Sequence, residues 1–222
     1  MNLILNIDTA LDTASICLAD GETIIGLAIN ENQKDHAAWL HTAIAEMLQK
    51  NNFTPHQLAA VAVSIGPGSY TGLRVGLAAA KGLCYALKIP LIAVGTLEMI
   101  AFAAKEQATT LICPMIDARR LEVFTAVYDK SLQEKTPAYA LILDENSFAS
   151  LLATDKVLFC GNGSKKLQPL IKNANASFNT AVCNASHLAA LSHICFVKKQ
   201  FADLAYTEPL YIKEFYSPAR KN

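Results

Sequence analysis

Two aspartates sit where a pair of carboxylates could do chemistry. Asp8 follows the apolar run 3–7, and Asp117 follows a second such run, 110–116. Facing each other across a cleft, they could hold magnesium and the phosphates of ATP. A strand-ending aspartate more often caps its own turn through backbone amides. An ATP site also needs a glycine-rich adenosine loop, for which Gly161-Asn162-Gly163 is the candidate. Both aspartates are therefore read as structural. Arg119, Arg120 and Glu122 crowd around Asp117 as the densest charged spot. A local ion pair locking that turn is the plain account of Asp117, Arg119 and Glu122, and a lobe or partner contact is the alternative.

Other ligands and nucleophiles are scattered. His36 and His41 lie about 140° apart around a helix, so they cannot share a metal as an i, i+4 pair does. His187 and His193 face no third ligand, His56 falls in a loop, and no H-E-x-x-H occurs, so zinc is not expected. Ser64 and Ser69 lack a G-x-S-x-G elbow. Gly66-Pro67-Gly68-Ser69 departs from the G-x-x-x-x-G-K-[ST] phosphate loop, although free amides at a following helix start can hold an anion. No catalytic, metal or cofactor-binding residue is assigned, and no cofactor is expected.

The elements that position these residues centre on 59–87. Residues 59–65 read as a buried strand, Gly66, Pro67 and Gly68 as a tight turn, Ser69 as a cap, and 70–87 as a helix. Gly72, Gly76 and Ala80 form a seam of small residues along it. Two interior glycines cost about 1 kcal/mol each against alanine, which a solvent-facing helix would not recover. The seam points to a helix covered by its own domain or to a partner-binding surface. Before it come strands at 3–7, 15–19 and 23–29 and a helix at 36–50 capped by Asp35. After it come a strand at 91–94 and a helix at 96–105. The second half repeats the order, with strands at 110–116, 122–128 and 137–143, a short helix at 145–152 and a strand at 156–160. A short helical piece follows, then a helix from His187 to about 199 capped by Ser186. Tyr211-Ile212 reads as a short terminal strand or strand-like segment and the tail from Ser217 as loose. Three meandering strands followed by crossover units imply an α/β fold, a mixed sheet with helices on both sides, in each of two lobes. The boundary falls at 106/107, giving lobes 1–106 and 107–222.

The chain has 222 residues, 52% of them hydrophobic, and its 19 basic and 19 acidic side chains cancel. That balance disfavours direct nucleic-acid binding. The six cysteines show no C-x-x-C and sit among apolar neighbours, as reduced cysteines of a cytoplasmic protein do. The start MNLILNIDTA reads as a strand rather than a signal peptide, and no apolar stretch is long enough to cross a bilayer.

With these residues in view, the chain resembles the bacterial TsaB family (older name YeaZ) over nearly its whole length. The matching segments are NIDTALDTASICL, SIGPGSYTGLRVGLAAAKGL, PLIAVGTLEMIA, MIDARRLEVFTAVY and PLYIKEF. The resemblance implies a two-lobed ASKHA (actin/Hsp70-like) fold. It also implies a part in making N6-threonylcarbamoyladenosine at position 37 of tRNAs that read ANN codons. In that family the catalytic work belongs to the paralogue TsaD, with a TsaE-like ATPase in the larger complex. TsaB-like chains are the non-catalytic scaffold, and tRNA is reached only through the complex. The metal-binding H-x-x-x-H of TsaD is missing here: His36 stands near the helix start, Leu40 occupies the second place and His41 comes one residue late. The alternative is an ATP-dependent small-molecule kinase of the same fold.

The expected partner interface joins Gly72, Arg74, Gly76 and Ala80 of helix 70–87 with Trp39 and Ala43 of helix 36–50. Two helices from each partner would pack there, serving a homodimer when the chain is alone and the TsaD-like heterodimer otherwise. Asp8, Gly66, Pro67, Gly68, Asp117, Arg119 and Glu122 are expected to hold turns and lobe contacts. The chain is expected to be cytoplasmic, with no membrane partner.

Overall fold

A computed structural model of the chain describes residues 2–32, 35–180 and 183–213. The expected loose tail from Ser217, and the Glu214-Phe215 end of PLYIKEF, lie outside the described residues. Strands β1 (Leu3–Asp8), β2 (Ala14–Asp20) and β3 (Thr23–Asn30) form an antiparallel meander, followed by helix α1 (His36–Lys50). Strand β4 (Ala60–Ser64), helix α2 (Tyr70–Leu87), strand β5 (Leu91–Val94) and helix α3 (Thr96–Ala104) complete the first half. The second half contains β6 (Leu111–Asp117), β7 (Glu122–Asp129), β8 (Glu134–Ile142), α4 (Ala149–Thr154), β9 (Val157–Cys160), α5 (Ser164–Leu167), β10 (Ala176–Asn179) and α6 (Ala185–Val197).

Two five-stranded mixed sheets result, ordered β3-β2-β1-β4-β5 and β10-β9-β6-β7-β8. The two orders are the same once the second is read from its other end. Each meander pairs antiparallel, β4 and β9 join parallel to the central strands β1 and β6, and β5 and β10 add parallel outside them. Strand β10 is absent from the sequence reading. Its four residues ASFN carry little apolar alternation, and it is recognisable only by its parallel pairing with β9.

The layers alternate helix and sheet. Helices α1 and α2 pack on one face of the first sheet through Leu40, Ile44, Leu48, Leu77 and Cys84. Helices α3 and α6 lie between the sheets, sharing a core with Ile4, Ile92, Ile112, Ile116 and Leu158. Leu152 of α4 and Leu167 of α5 pack with Phe159 and Val123 on the far face of the second sheet. Helix α6 comes from the second half yet rests on the first sheet. Ser192 Oγ donates to Asn6 Oδ1 at 2.6 Å, and the Ala185 amide donates to Ser15 Oγ at 2.9 Å. A cut at 106/107 thus divides the strands of the two sheets but not the layers.

Three local readings change. Asp35 makes no side-chain cap at α1. Helix α6 is capped by Asn184, whose Oδ1 accepts from the Ser186 amide at 2.9 Å, so Ser186 is inside the helix. Tyr211-Ile212 is not a strand: the segment crosses the first half as a strap, where the Leu210 amide donates to the Ile65 carbonyl at 2.7 Å.

Candidate functional site

Helix α2 begins as its sequence dictates. Ser69 Oγ accepts from the Gly72 amide at 3.3 Å, satisfying a donor that the helix start leaves free. Gly66 adopts φ +117, and a β-carbon there would lie 2.7 Å from the Leu210 carbonyl oxygen. This one turn therefore fits beneath the strap only as glycine.

The seam of α2 faces inward, contrary to the outward surface expected. Gly72, Gly76 and Ala80 are buried. A β-carbon at Gly72 would come far inside 3.0 Å of the Thr9 carbonyl oxygen, and one at Gly76 would do the same to Thr9 Oγ1. Thr9 Oγ1 donates to the Gly72 carbonyl at 2.7 Å, and the Ser69 amide donates to the Ala10 carbonyl at 2.7 Å. The glycines let the helix rest directly on the end of β1, and this contact offsets their helix penalty. Ala43 is buried as well, on the inner side of α1. Trp39 is half-buried and borders a groove of about 260 Å3 between α1 and β3.

Arg74 is exposed but engaged within the chain. Its guanidinium lies 4.0 Å from the centre of the Tyr70 ring, and its Nε donates to the Tyr211 hydroxyl at 2.9 Å. Lys81 Nζ donates to the carbonyls of Ala205 and Thr207 at 3.1 and 3.0 Å. The two cations of α2 therefore hold the strap.

Besides Arg74, α2 shows a different set to solvent, Thr71, Ala78, Gly82, Tyr85 and Ala86, and a β-carbon at Gly82 would meet nothing within 4 Å. The outward residues of the first half of α1 are small or short, Ala37, Ala38, Thr42 and Ala45, with His41 beside them and Glu46, Gln49 and Lys50 exposed towards its end. Both helices cover the same face of the first sheet, so these outward sides both point away from it. The 3.6-residue period could have separated this face from the seam, but it does not say which of the two meets the sheet.

Between the sheets lies a cleft of about 950 Å3, bordered by Asp12, Ser69, Tyr70, Asp117, Arg119 and Asn162 among others. Asp8 does not line it. The Asp8 carboxylate is buried, accepting from Ser64 Oγ at 2.6 Å and the Ala10 amide at 3.1 Å. Burial raises its pKa above the usual carboxylate range, against the opposing effect of these two hydrogen bonds. Asp117 borders the cleft and is spent on its own turn. It pairs with Lys166 Nζ at 2.6 Å, accepts from the Arg119 amide at 2.7 Å, and its own amide donates to Asn162 Oδ1 at 2.9 Å. Glu122 pairs with Lys213. The turn is therefore locked by lysines distant in sequence, in place of the local arginine pair expected. Arg119 contributes its backbone at φ +71.

The Gly161-Asn162-Gly163 candidate packs on the end of β6. The Gly163 amide donates to the Met115 carbonyl at 3.0 Å, much as the loop before α2 meets β1. Among the described residues no group of three or more His, Cys, Asp or Glu could hold a metal ion. Asn184 donates its amide to His187 Nδ1, and His41 and His56 are exposed. The six cysteines are free, and burial pushes the Cys17 thiol up to about 12. No helix of the described residues is long and apolar enough to cross a membrane.

Comparison with known proteins places these features. The family described as "TsaD: tRNA N6-adenosine threonylcarbamoyltransferase" matches residues 24–213. The tRNA threonylcarbamoyladenosine biosynthesis protein TsaB of Bacillus subtilis is 32% identical over 216 residues, spanning 95% of this chain and 93% of that protein. The TsaB of Haemophilus influenzae is 27% identical over 95% of this chain and 93% of its own length. The solved structure of YeaZ from Pseudomonas aeruginosa has a TM-score of 0.80 at 22% identity, covering 95% of this chain and 100% of that one. The last likeness is one of fold.

Proposed function

The chain belongs to the bacterial TsaB (YeaZ) family, and we propose that it is the non-catalytic scaffold of the complex that places N6-threonylcarbamoyl on adenosine 37 of ANN-decoding tRNAs. The observation that carries this is the match along 95% of the chain to a TsaB protein named for that biosynthesis. The state of the aspartates supports a role without chemistry of its own. Asp8 is enclosed by Ser64 and Ala10, and Asp117 is committed to Lys166 and its own turn. The repeated strand order supports an ASKHA fold, with lobes of 1–106 and 107–222 and α6 of the second resting on the sheet of the first.

In this reading the working partner is a TsaD-like paralogue. A TsaE-like ATPase joins the larger complex, tRNA is met only there, and the setting is cytoplasmic. Alone, the chain is a homodimer. The surface for the paralogue is the outward side of α1 and α2, around Ala38, Thr42, Ala78 and Gly82. Small side chains there allow close helix–helix approach. Arg74, Trp39 and the buried seam of Gly72, Gly76, Ala80 and Ala43 stand behind or beside that surface and support its helices.

Reconstitution with purified paralogue, ATPase, threonylcarbamoyl-adenylate source and tRNA transcript tests this. Omitting the chain should abolish modification. Gly82→Arg should abolish paralogue binding and modification without lowering the melting temperature, because the site is open and arginine is a better helix former than glycine. Normal binding by a folded Gly82→Arg chain would remove this face from the interface. Modification undiminished without the chain would remove the function.

A further inference from the structure

We propose that the groove beside the β6–β7 turn receives a short acidic segment of a partner protein, its carboxylates on Arg119 and Arg120 and an aliphatic side chain against Leu121 and Ile142. The groove has a volume of about 680 Å3, and these four residues border it together with Glu122 and Lys213. Leu121 is 52% exposed and Ile142 70%. They are neighbours, since the Leu143 amide donates to the Leu121 carbonyl at 2.8 Å. A single exposed aliphatic residue is ordinary, whereas two on the rim of one groove form a patch. None of these residues belongs to α1 or α2, so this is a second surface beside the one proposed for the paralogue.

The charge beside that patch is unspent. The nearby carboxylates already have cations, Asp117 in Lys166 and Glu122 in Lys213. Among the described residues the Arg119 and Arg120 guanidiniums have no hydrogen bond or ion pair. The turn itself does not call for arginine. Arg119 and Arg120 adopt φ +71 and +48, a conformation that glycine takes freely and a β-carbon opposes. What arginine adds there is a planar fork of donors in solvent, and two in succession match two carboxylates.

Charge and shape together select the occupant. Phosphates would also meet two arginines, but a nucleic-acid surface pairs its cations with aromatic rings on which bases stack. Here the apolar part is aliphatic, Leu121 and Ile142, and offers no ring. The chain's own sequence after Lys213, EFYSPARKN, carries one acidic side chain, Glu214, against Arg220 and Lys221. It does not complement two free guanidiniums. An extended segment that alternates acidic and aliphatic residues does, because successive side chains point to opposite sides of an extended backbone. One side then meets the arginines and the other the aliphatic wall.

Fluorescence anisotropy of the full chain with a labelled hexapeptide of alternating glutamate and leucine tests the proposal. The wild type should bind it, and a lysine–leucine hexapeptide should not bind. Replacing both arginines, Arg119→Gly with Arg120→Gly, should weaken binding about tenfold. That double variant should melt no lower than wild type, because glycine suits the turn, so binding and stability separate. Ile142→Ser, at a side chain already in solvent, should weaken binding with an unchanged melting curve. A wild type that leaves the glutamate–leucine peptide unbound overturns the proposal. So does undiminished binding by the double variant or by Ile142→Ser, or equal binding of the lysine–leucine peptide. Labelled polyuridylate that binds more tightly than the peptide and is lost in the double variant would assign the arginines to phosphates instead. Peptide binding that rises about tenfold in Glu214→Lys would assign the groove to the chain's own final residues; either result overturns the proposal.

Discussion

Alanine at Gly72 and alanine at Gly82 should change stability in opposite directions, although both lie inside α2. Each replacement relieves about 1 kcal/mol of helix penalty. At Gly82 nothing lies within 4 Å of the new methyl group, so the full gain should appear. At Gly72 the methyl group meets the Thr9 carbonyl oxygen far inside 3.0 Å, and that oxygen belongs to the backbone, which cannot rotate away. Overpacking of this kind costs about 1–3 kcal/mol. Lifting the helix also weakens the 2.7 Å bond from Thr9 Oγ1 to the Gly72 carbonyl, for about 1 kcal/mol more. The net expectation is a loss of about 1–3 kcal/mol for Gly72→Ala and a gain of up to about 1 kcal/mol for Gly82→Ala. In a chain of this size each kcal/mol moves the melting temperature by about 2–4 °C. Urea unfolding of the two variants beside wild type reads the difference directly. A Gly72→Ala chain as stable as Gly82→Ala would refute the inward seam and return Gly72 to the solvent side.

Asp8→Asn keeps an acceptor for Ser64 and Ala10 without the buried charge. A carboxyl whose pKa rises on folding favours the folded state while protonated, and that contribution is lost as pH rises through the folded pKa. Asp8→Asn should therefore melt above wild type at about pH 7, the gap closing towards about pH 4; a variant that melts lower at neutral pH would show that the carboxylate itself is needed. Asp117→Ala removes a pair whose carboxylate is 41% exposed, so the loss should be about 1 kcal/mol or less rather than that of a buried pair. Reconstituted modification should survive it, and loss of modification with unchanged melting and partner binding would point to direct chemistry at Asp117.

The order of elements in both halves is legible from the sequence because its causes are local. Apolar runs, the Gly66-Pro67-Gly68-Ser69 turn and the periodicity of 70–87 bring β4 within a residue at each end and place α2 on its observed bounds. The IGPGSYTGLR and IDARRLEVF segments carry the family in the same way. Spacing also identifies Gly72, Gly76 and Ala80 as one face built for close approach. It is silent on what approaches, since helical period orders residues around an axis without orienting that axis on a sheet. Only the tertiary structure sets β1 against that face and leaves Ala78 and Gly82 outside. It alone brings Lys166 to Asp117, 49 residues away, and Ser192 to Asn6, 186 residues away. Those pairings depend on the return of α6 to the first sheet and on the loop after β9 closing on β6. Strand β3 becomes an uncovered edge for the same reason: whether a strand has a second neighbour is decided by the sheet as a whole.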